Sequence, residues 1–324
     1  MLSPARLALA VVASLLLIGL VALGWLDRGA SSPSALATEI ARLDCRSCHA
    51  EVAQEWDRSR HAQSWTGLEV QAAFKHFGND RKCHTCHAPE PVFAVGLERP
   101  VELRATGLDS GVDCMSCHLL PGGQGVAAAR TISSAPCRPI ATAALSTSQA
   151  CAGCHTASHR DWSESRYAAE GKTCQSCHMP PSESRPGGKS HLCLGGHDDA
   201  LVRSGVSLTS RQDGGELLVE VTNHRTGHNF PGERHNRLLI LQVIERKADG
   251  ATTLARRELI KGITPFRGET SAEKIRAGET FAARFPIVEP PVTAEVQLLY
   301  KRYPYHADRQ ALVVHEARVE LEAP

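Results

Sequence analysis

Five copies of one short pattern constrain this chain more than any other feature. They are Cys45-Arg46-Ser47-Cys48-His49, Cys83-His84-Thr85-Cys86-His87, Cys114-Met115-Ser116-Cys117-His118, Cys151-Ala152-Gly153-Cys154-His155 and Cys174-Gln175-Ser176-Cys177-His178. C-x-x-C-H is the attachment signature of c-type haem, in which two thiols form thioethers to the porphyrin and the adjacent imidazole ligates the iron. At this composition about 0.02 such motifs are expected by chance. Structural zinc knuckles need paired Cys/His clusters and explain the invariant histidine less well. The sequence therefore implies five covalently attached c-type haems, with His49, His87, His118, His155 and His178 as proximal ligands.

Such a chain folds around its cofactors. Ten of the twelve cysteines are consumed by the motifs, leaving Cys137 and Cys193 either to form a disulfide in an oxidising compartment or to stand as two unrelated thiols. Aromatic residues make up only 5% of the chain and methionines number three, so the porphyrins are expected to supply the missing apolar area. A net charge of +1 without a basic run gives no footprint for nucleic acid. The propionates, about ten in all, make the loaded protein acidic, and a partner docking near them would present basic surface.

Residues 1–28 read as a signal anchor: a positively charged start, then twenty apolar residues from Leu7 to Leu26 closed by Asp27 and Arg28. That length suffices to span a bilayer and exceeds a usual secretory core. Ala35-Leu36-Ala37 offers a cleavage site, but far from the apolar run. The reading thus favours a retained transmembrane helix over a cleaved signal, which would leave a soluble exported protein. Residues 29–38 are a small, polar linker.

Residues 39–200 hold all five motifs. Helical spacing is expected over Glu39–Arg46 and Val52–Trp65, with loops at 89–100, 121–125 and 180–188. A shift of 106 residues superimposes Cys45, Cys48 and His49 on Cys151, Cys154 and His155, Trp56 on Trp162, Ser59 on Ser165 and Arg60 on Arg166. A two-haem unit has been duplicated, with the Cys114 motif inserted between the copies. The match breaks where His61 meets Tyr167. Residues 201–324 instead carry short strand-like runs at Glu216–Asn223, Arg237–Lys247, Leu254–Ile260, Thr280–Ile287, Ala294–Arg302 and Leu312–Leu321, the pattern of a β-sandwich. The fold class is thus α plus all-β in two domains.

Each iron has a second axial position. A further histidine there suits electron transfer, whereas an open position suits binding and chemistry. His61, His191, His197 and His228 are the distal candidates, with His76 a weaker one. Gly195 and Gly196 allow close approach to a porphyrin near His197, and Gly227 and Pro231 fix the loop carrying His228. Ligation by His228 would clamp the β domain onto the haem domain. His84 is expected to face solvent, and His159, His224, His235, His306 and His315 to be surface or sheet residues. Tyr167 either packs on a porphyrin or stands beside one open haem, where alone it would have a catalytic role.

Trp56-x-x-Ser59-x-His61-Ala62, Cys174-x-x-Cys177-His178-Met179-Pro180 and Ser190-His191 followed by Gly195-Gly196-His197-Asp198 resemble the periplasmic multihaem cytochromes of the tetrahaem c-554 type, and more distantly the octahaem hydroxylamine- and tetrathionate-converting enzymes. The Asn223 to Arg237 stretch resembles a C-terminal β module appended to such cytochromes, in which the matching histidine faces a haem. The resemblance implies stacked haems and a His61 that serves a different motif's iron. Five haems and Tyr167 depart from those relatives.

The expected function is electron transfer on the periplasmic side of the inner membrane, between a quinol-oxidising membrane complex and a redox protein. One alternative is a haem reductase or oxidase of a small nitrogen or sulfur compound at an open haem near Tyr167. The other is a haem subunit of a larger respiratory assembly.

Overall fold

A computed structural model describes residues 39–40, 42–232, 237–247, 249–260, 274–287, 292–303 and 305–322. The expected anchor at 1–28 and linker at 29–38 lie outside these residues, as does His235. No helix among the described residues is long and apolar enough to cross a membrane.

The N-terminal part is a string of short helices, several opening at a haem motif. Cys45–Cys48 (α1), Arg81–His84 and Cys114–His118 start at Asp44, Asp80 and Asp113, whose carboxylates accept backbone N–H groups of the first turn. Gln149–Ala152 (α2) and Cys174–His178 complete the set. Helices of four or five residues do not persist alone in water, so caps, long-range contacts and covalent cofactors must hold them. Buried apolar residues are scattered here, as at Ala53, Phe74, Ala88, Val92 and Ala152. The contiguous apolar clusters both lie at residue 202 and beyond, in the other domain.

The duplication is visible in the backbone. Ala50–Asp57 (α3) follows α1 as Thr156–Ser163 (α4) follows α2, with His49 at φ −117°, ψ 46° and His155 at φ −104°, ψ 47° joining each pair. Trp56 Nε1 donates to the Val112 carbonyl at 2.9 Å, and Trp162 Nε1 to the Lys172 carbonyl at 2.8 Å. The helix expected over Val52–Trp65 ends at Asp57, because residues 58–66 unwind into turns that carry His61 away from the helix axis. In the loop expected at 89–100, Val92–Val95 forms one helical turn.

All six expected strands form: Glu216–Thr222 (β4), Leu238–Lys247 (β5), Thr252–Ile260 (β6), Thr280–Pro286 (β7), Val292–Lys301 (β8) and Leu312–Leu321 (β9). The sequence reading missed the polar edge strand Ser207–Asp213 (β3), which has no apolar alternation, and a two-stranded parallel pair in the haem domain, Val126–Ala128 (β1) with Pro139–Ala141 (β2). A three-stranded sheet, β3-β4-β7, packs on a four-stranded one, β6-β5-β8-β9. Leu217, Val219 and Val221 of β4 meet Leu239, Leu241 and Val243 of β5 and Val296 and Leu298 of β8, all fully buried. This is a sandwich core built on period-two alternation.

Candidate haem sites

Three proximal imidazoles are met by a second imidazole across a gap. Ring centroids stand 6.3 Å apart for His61 and His155, 6.3 Å for His118 and His191, and 6.1 Å for His178 and His228. The last two pairs are nearly parallel, with interplanar angles of 24° and 12°. With metal–nitrogen bonds of about 2.0 Å and ring centres about 1.1 Å beyond each nitrogen, two ligands on opposite sides of one iron stand about 6.2 Å apart. The observed separations match that spacing.

Second contacts aim these rings. Nδ1 lies 2.5 Å from the Ser64 carbonyl in His87, 2.7 Å from Ala127 in His118 and 2.6 Å from Leu194 in His178. Nδ1 of His191 lies 2.9 Å from the Lys189 carbonyl, and that of His228 lies 2.9 Å from the Asn229 carbonyl. A carbonyl only accepts, so Nδ1 carries the proton and the Nε2 lone pair is left for a metal, the usual arrangement around metal-bound histidine. Burial holds His61, His118, His191 and His228 below the ordinary histidine pKa, which keeps them neutral, the ligating form. His315 differs: its Nε2 lies 2.7 Å from the Val206 carbonyl, so it is a structural residue of the β domain.

The histidines facing the motif imidazoles are positioned by different means. His61 is held by the Val112 N–H, which donates to its carbonyl at 3.2 Å, and by Ser64, whose hydroxyl reaches the carbonyls of His61 (2.7 Å) and His87 (2.9 Å). A glycine is required beside this turn. Gly111 has φ +63°, and a Cβ there would stand 2.6 Å from Ser64 Oγ and 2.9 Å from the His61 carbonyl. His228 is braced by fully buried Asn223, whose Nδ2 donates to the carbonyls of His228 (3.0 Å) and Ile275 (2.9 Å) while its Oδ1 accepts from the Thr226 N–H and hydroxyl. His191 is held through its backbone N–H, which donates to Glu55 at 2.8 Å.

Tyr167 is buried, and its hydroxyl donates to the His224 carbonyl at 2.8 Å. Arg166 and Lys172 stand over its ring at 5.1 and 5.0 Å. A Cβ on Gly227 would come 3.6 Å from Tyr167 Cβ, so the phenol packs against the very loop that carries His228. Where the second repeat lacks the first one's histidine, the β domain brings an imidazole from outside.

His197 packs 5.9 Å from Tyr303, and burial followed by Arg237, Arg60 and Arg302 pushes its pKa down to about 3. His76 is exposed and lies 4.7 Å from Tyr305. Neither ring is seen across an iron-wide gap from a proximal imidazole among the described residues. Cys137 and Cys193 are both free thiols, with Cys193 in the electrostatic surroundings of Cys117.

The motifs also touch one another. The side chain of Cys45 neighbours that of Cys114, and the side chain of Cys151 neighbours that of Cys174. Cys86 Sγ lies 4.0 Å from the Cys154 carbonyl. Gln175 Nε2 donates to Leu145 and Thr147 ahead of the fourth motif, and Ser148 Oγ accepts from Cys174 N. Arg104 ties the loop after the second motif to the third by donating to Pro89 O, Asp113, Gly111 O and Ser116 Oγ.

The residues fit haem. Among the described residues, four buried polar atoms have no protein partner: His84 Nε2, His159 Nε2, Gln175 Oε1 and Arg185 Nη1. All lie in the haem domain, where a cofactor with carboxylate arms is expected. The buried Nε2 of His84 therefore differs from the solvent-facing ring expected, and that of His159 from the surface or sheet position expected. Sequence reasoning also missed Glu55, Arg104 and Arg185. Each is a lone charged residue in a polar stretch, and only tertiary contacts distinguish it.

The five C-x-x-C-H motifs, the facing imidazoles and the C-terminal β module resemble those of multihaem c-type cytochromes. Residues 44–119, spanning the first three motifs, match the family model described as cytochrome c554 and c-prime. The chain also shares its fold with a penta-heme cytochrome c552 from Thermochromatium tepidum, at 17% identity and a TM-score of 0.64, over 87% of this chain and 100% of that one. No curated protein matches the sequence.

Proposed function

We propose that this protein carries electrons outside the cytoplasm through five closely spaced haems, most of them ligated by two histidines. The observation that carries the proposal is the set of three imidazole pairs 6.1 to 6.3 Å apart. Bound haem supplies a reversible one-electron couple, which bis-histidine ligation keeps low-spin. The protein's part is to fix each ring, keep it neutral and pack the attachment points edge to edge. Cys45 with Cys114, Cys86 with Cys154 and Cys151 with Cys174 give three such junctions, and Ser64 joins the His61 turn to His87. His228 brings the β domain into the ligand set of the fifth motif.

We place the protein on the periplasmic side of the inner membrane, held by residues 1–28, taking electrons from a quinol-oxidising complex and passing them to a redox protein. The alternative of small-molecule chemistry beside Tyr167 gains nothing from its position, since its hydroxyl is committed to the His224 carbonyl. Low-temperature EPR and carbon monoxide binding test the carrier reading. The sites built from His155, His118 and His178 are expected to be low-spin and inert to carbon monoxide. High-spin iron at any of these three would refute their ligation.

A further inference from the structure

Glu55 lies on α3, only 9% exposed, directly behind the third haem site. Its carboxylate accepts from Arg185 Nη2 at 2.9 Å, from the Ser182 hydroxyl at 2.9 Å and from the His191 N–H at 2.8 Å. Burial alone would raise its pKa, but these donors outweigh it and bring the group down to about 2. Arg185 Nη2 also donates to the Lys189 carbonyl at 2.7 Å, the residue whose carbonyl is shared with His191 Nδ1 at 2.9 Å. The loop closes on itself where Ser182 N donates to Gly188 O and Gly188 N to Arg185 O. The guanidinium is thus the hub of the 182–191 loop, and that loop presents His191 to His118.

One end of the hub is unmet. Arg185 Nη1 is buried and has no protein partner, and a buried charged donor without an acceptor is strongly disfavoured. Glu55 Oε2 is 4.0 Å from His191 Nδ1, so the guanidinium that binds it stands beside the same haem site. The anions expected there are haem carboxylates, and arginine suits them because its planar fork can hold two carboxylates at once.

We propose that Arg185 Nη1 is the seat of a propionate of the haem attached at Cys114 and Cys117, so that one guanidinium both holds the His191 loop and sets that haem's potential. The inference rests on the bis-histidine reading of the His118 site. A buried positive charge near the iron disfavours the oxidised state, and removing it lowers the midpoint. Removing the opposing Glu55 charge raises it.

The experiment is an EPR-monitored potentiometric titration of the full, haem-loaded protein, following the low-spin signal that disappears in His191→Ala. Arg185→Gln is expected to shift that one midpoint to lower potential and Glu55→Gln to shift it to higher potential, with the other haems unmoved. Arg185→Lys, which keeps a charge but not the fork, gives a smaller shift than Arg185→Gln. An unshifted midpoint in Arg185→Gln, or a low-spin to high-spin conversion in its place, overturns the inference and leaves Arg185 as a purely structural tie. A wild-type protein with fewer than five haem equivalents, or with no low-spin signal lost in His191→Ala, refutes the underlying reading instead.

Discussion

Replacing His228 by alanine isolates the link between the two domains. The substitution removes the imidazole 6.1 Å from His178 and its hydrogen bond to the Asn229 carbonyl, and touches no other proximal site. That hydrogen bond contributes about 1 kcal/mol. The rest of the loop keeps its support, since Asn223 still donates to the carbonyls of residue 228 and Ile275 and still accepts from Thr226. Against a domain stability of about 5–15 kcal/mol, the sandwich around Val219, Leu241 and Val296 stays folded. The effect therefore falls on the iron: one site in five, about a fifth of the haem, changes from low-spin to high-spin. EPR of the oxidised variant should lose one low-spin signal and gain a high-spin one, and added imidazole should reverse the change. Circular dichroism of the strands should be unaltered. If every haem stays low-spin, His228 is not a ligand. If the strand signal collapses together with the haem signals, the β module owes its folding to this bond and its core does not suffice.

Three further substitutions probe the other supports. Asn223→Ala strips four hydrogen bonds from a fully buried position, and at about 1 kcal/mol per hydrogen bond should lower stability by about 4 kcal/mol, read as a shift of the urea midpoint with partial high-spin character at the His178 site. Gly111→Ala forces a Cβ at φ +63° to within 2.6 Å of Ser64 Oγ. It should destabilise the protein by about 1–3 kcal/mol and disturb the low-spin signal lost in His61→Ala, whereas an unchanged signal would show that Gly111 does not set the His61 turn. Tyr167→Phe loses the bond to the His224 carbonyl and the long 3.4 Å donation from Arg166 Nη2. A fall of about 1 kcal/mol with unaltered haem spectra and midpoints is expected, and any new reactivity toward carbon monoxide or nitrite would revive a chemical role for the phenol.

Much of the candidate site was legible because covalent haem attachment writes itself into sequence. Two thiols and an imidazole must sit within five residues, so each proximal set is local and survives any change in the surrounding fold. The strands were legible for a similar reason: alternation in runs such as Leu217, Val219 and Val221 reflects a sheet with one face on a core. Strand β3 was not, because Ser207–Asp213 lies at the sheet edge with no fully buried residue, and its one apolar side chain, Leu208, leaves no hydrophobic period to read. The helix over Val52–Trp65 was overdrawn, since helical spacing cannot tell that the chain leaves the helix after Asp57 to bring His61 opposite His155.

The distal half belonged to tertiary structure. From sequence alone His61, His191 and His228 were candidates without partners, and only the folded chain sets them opposite His155, His118 and His178. These pairs join residues 50 to 94 positions apart, a separation at which no periodicity or spacing rule operates. The same holds for Glu55 and Arg185, 130 residues apart and meeting at 2.9 Å. The sequence by itself determined where haem is fastened, because fastening is a local covalent act. The three-dimensional packing decided which imidazoles face one another across each gap, because that depends on loops from distant parts of the chain converging on a volume that no single segment encloses.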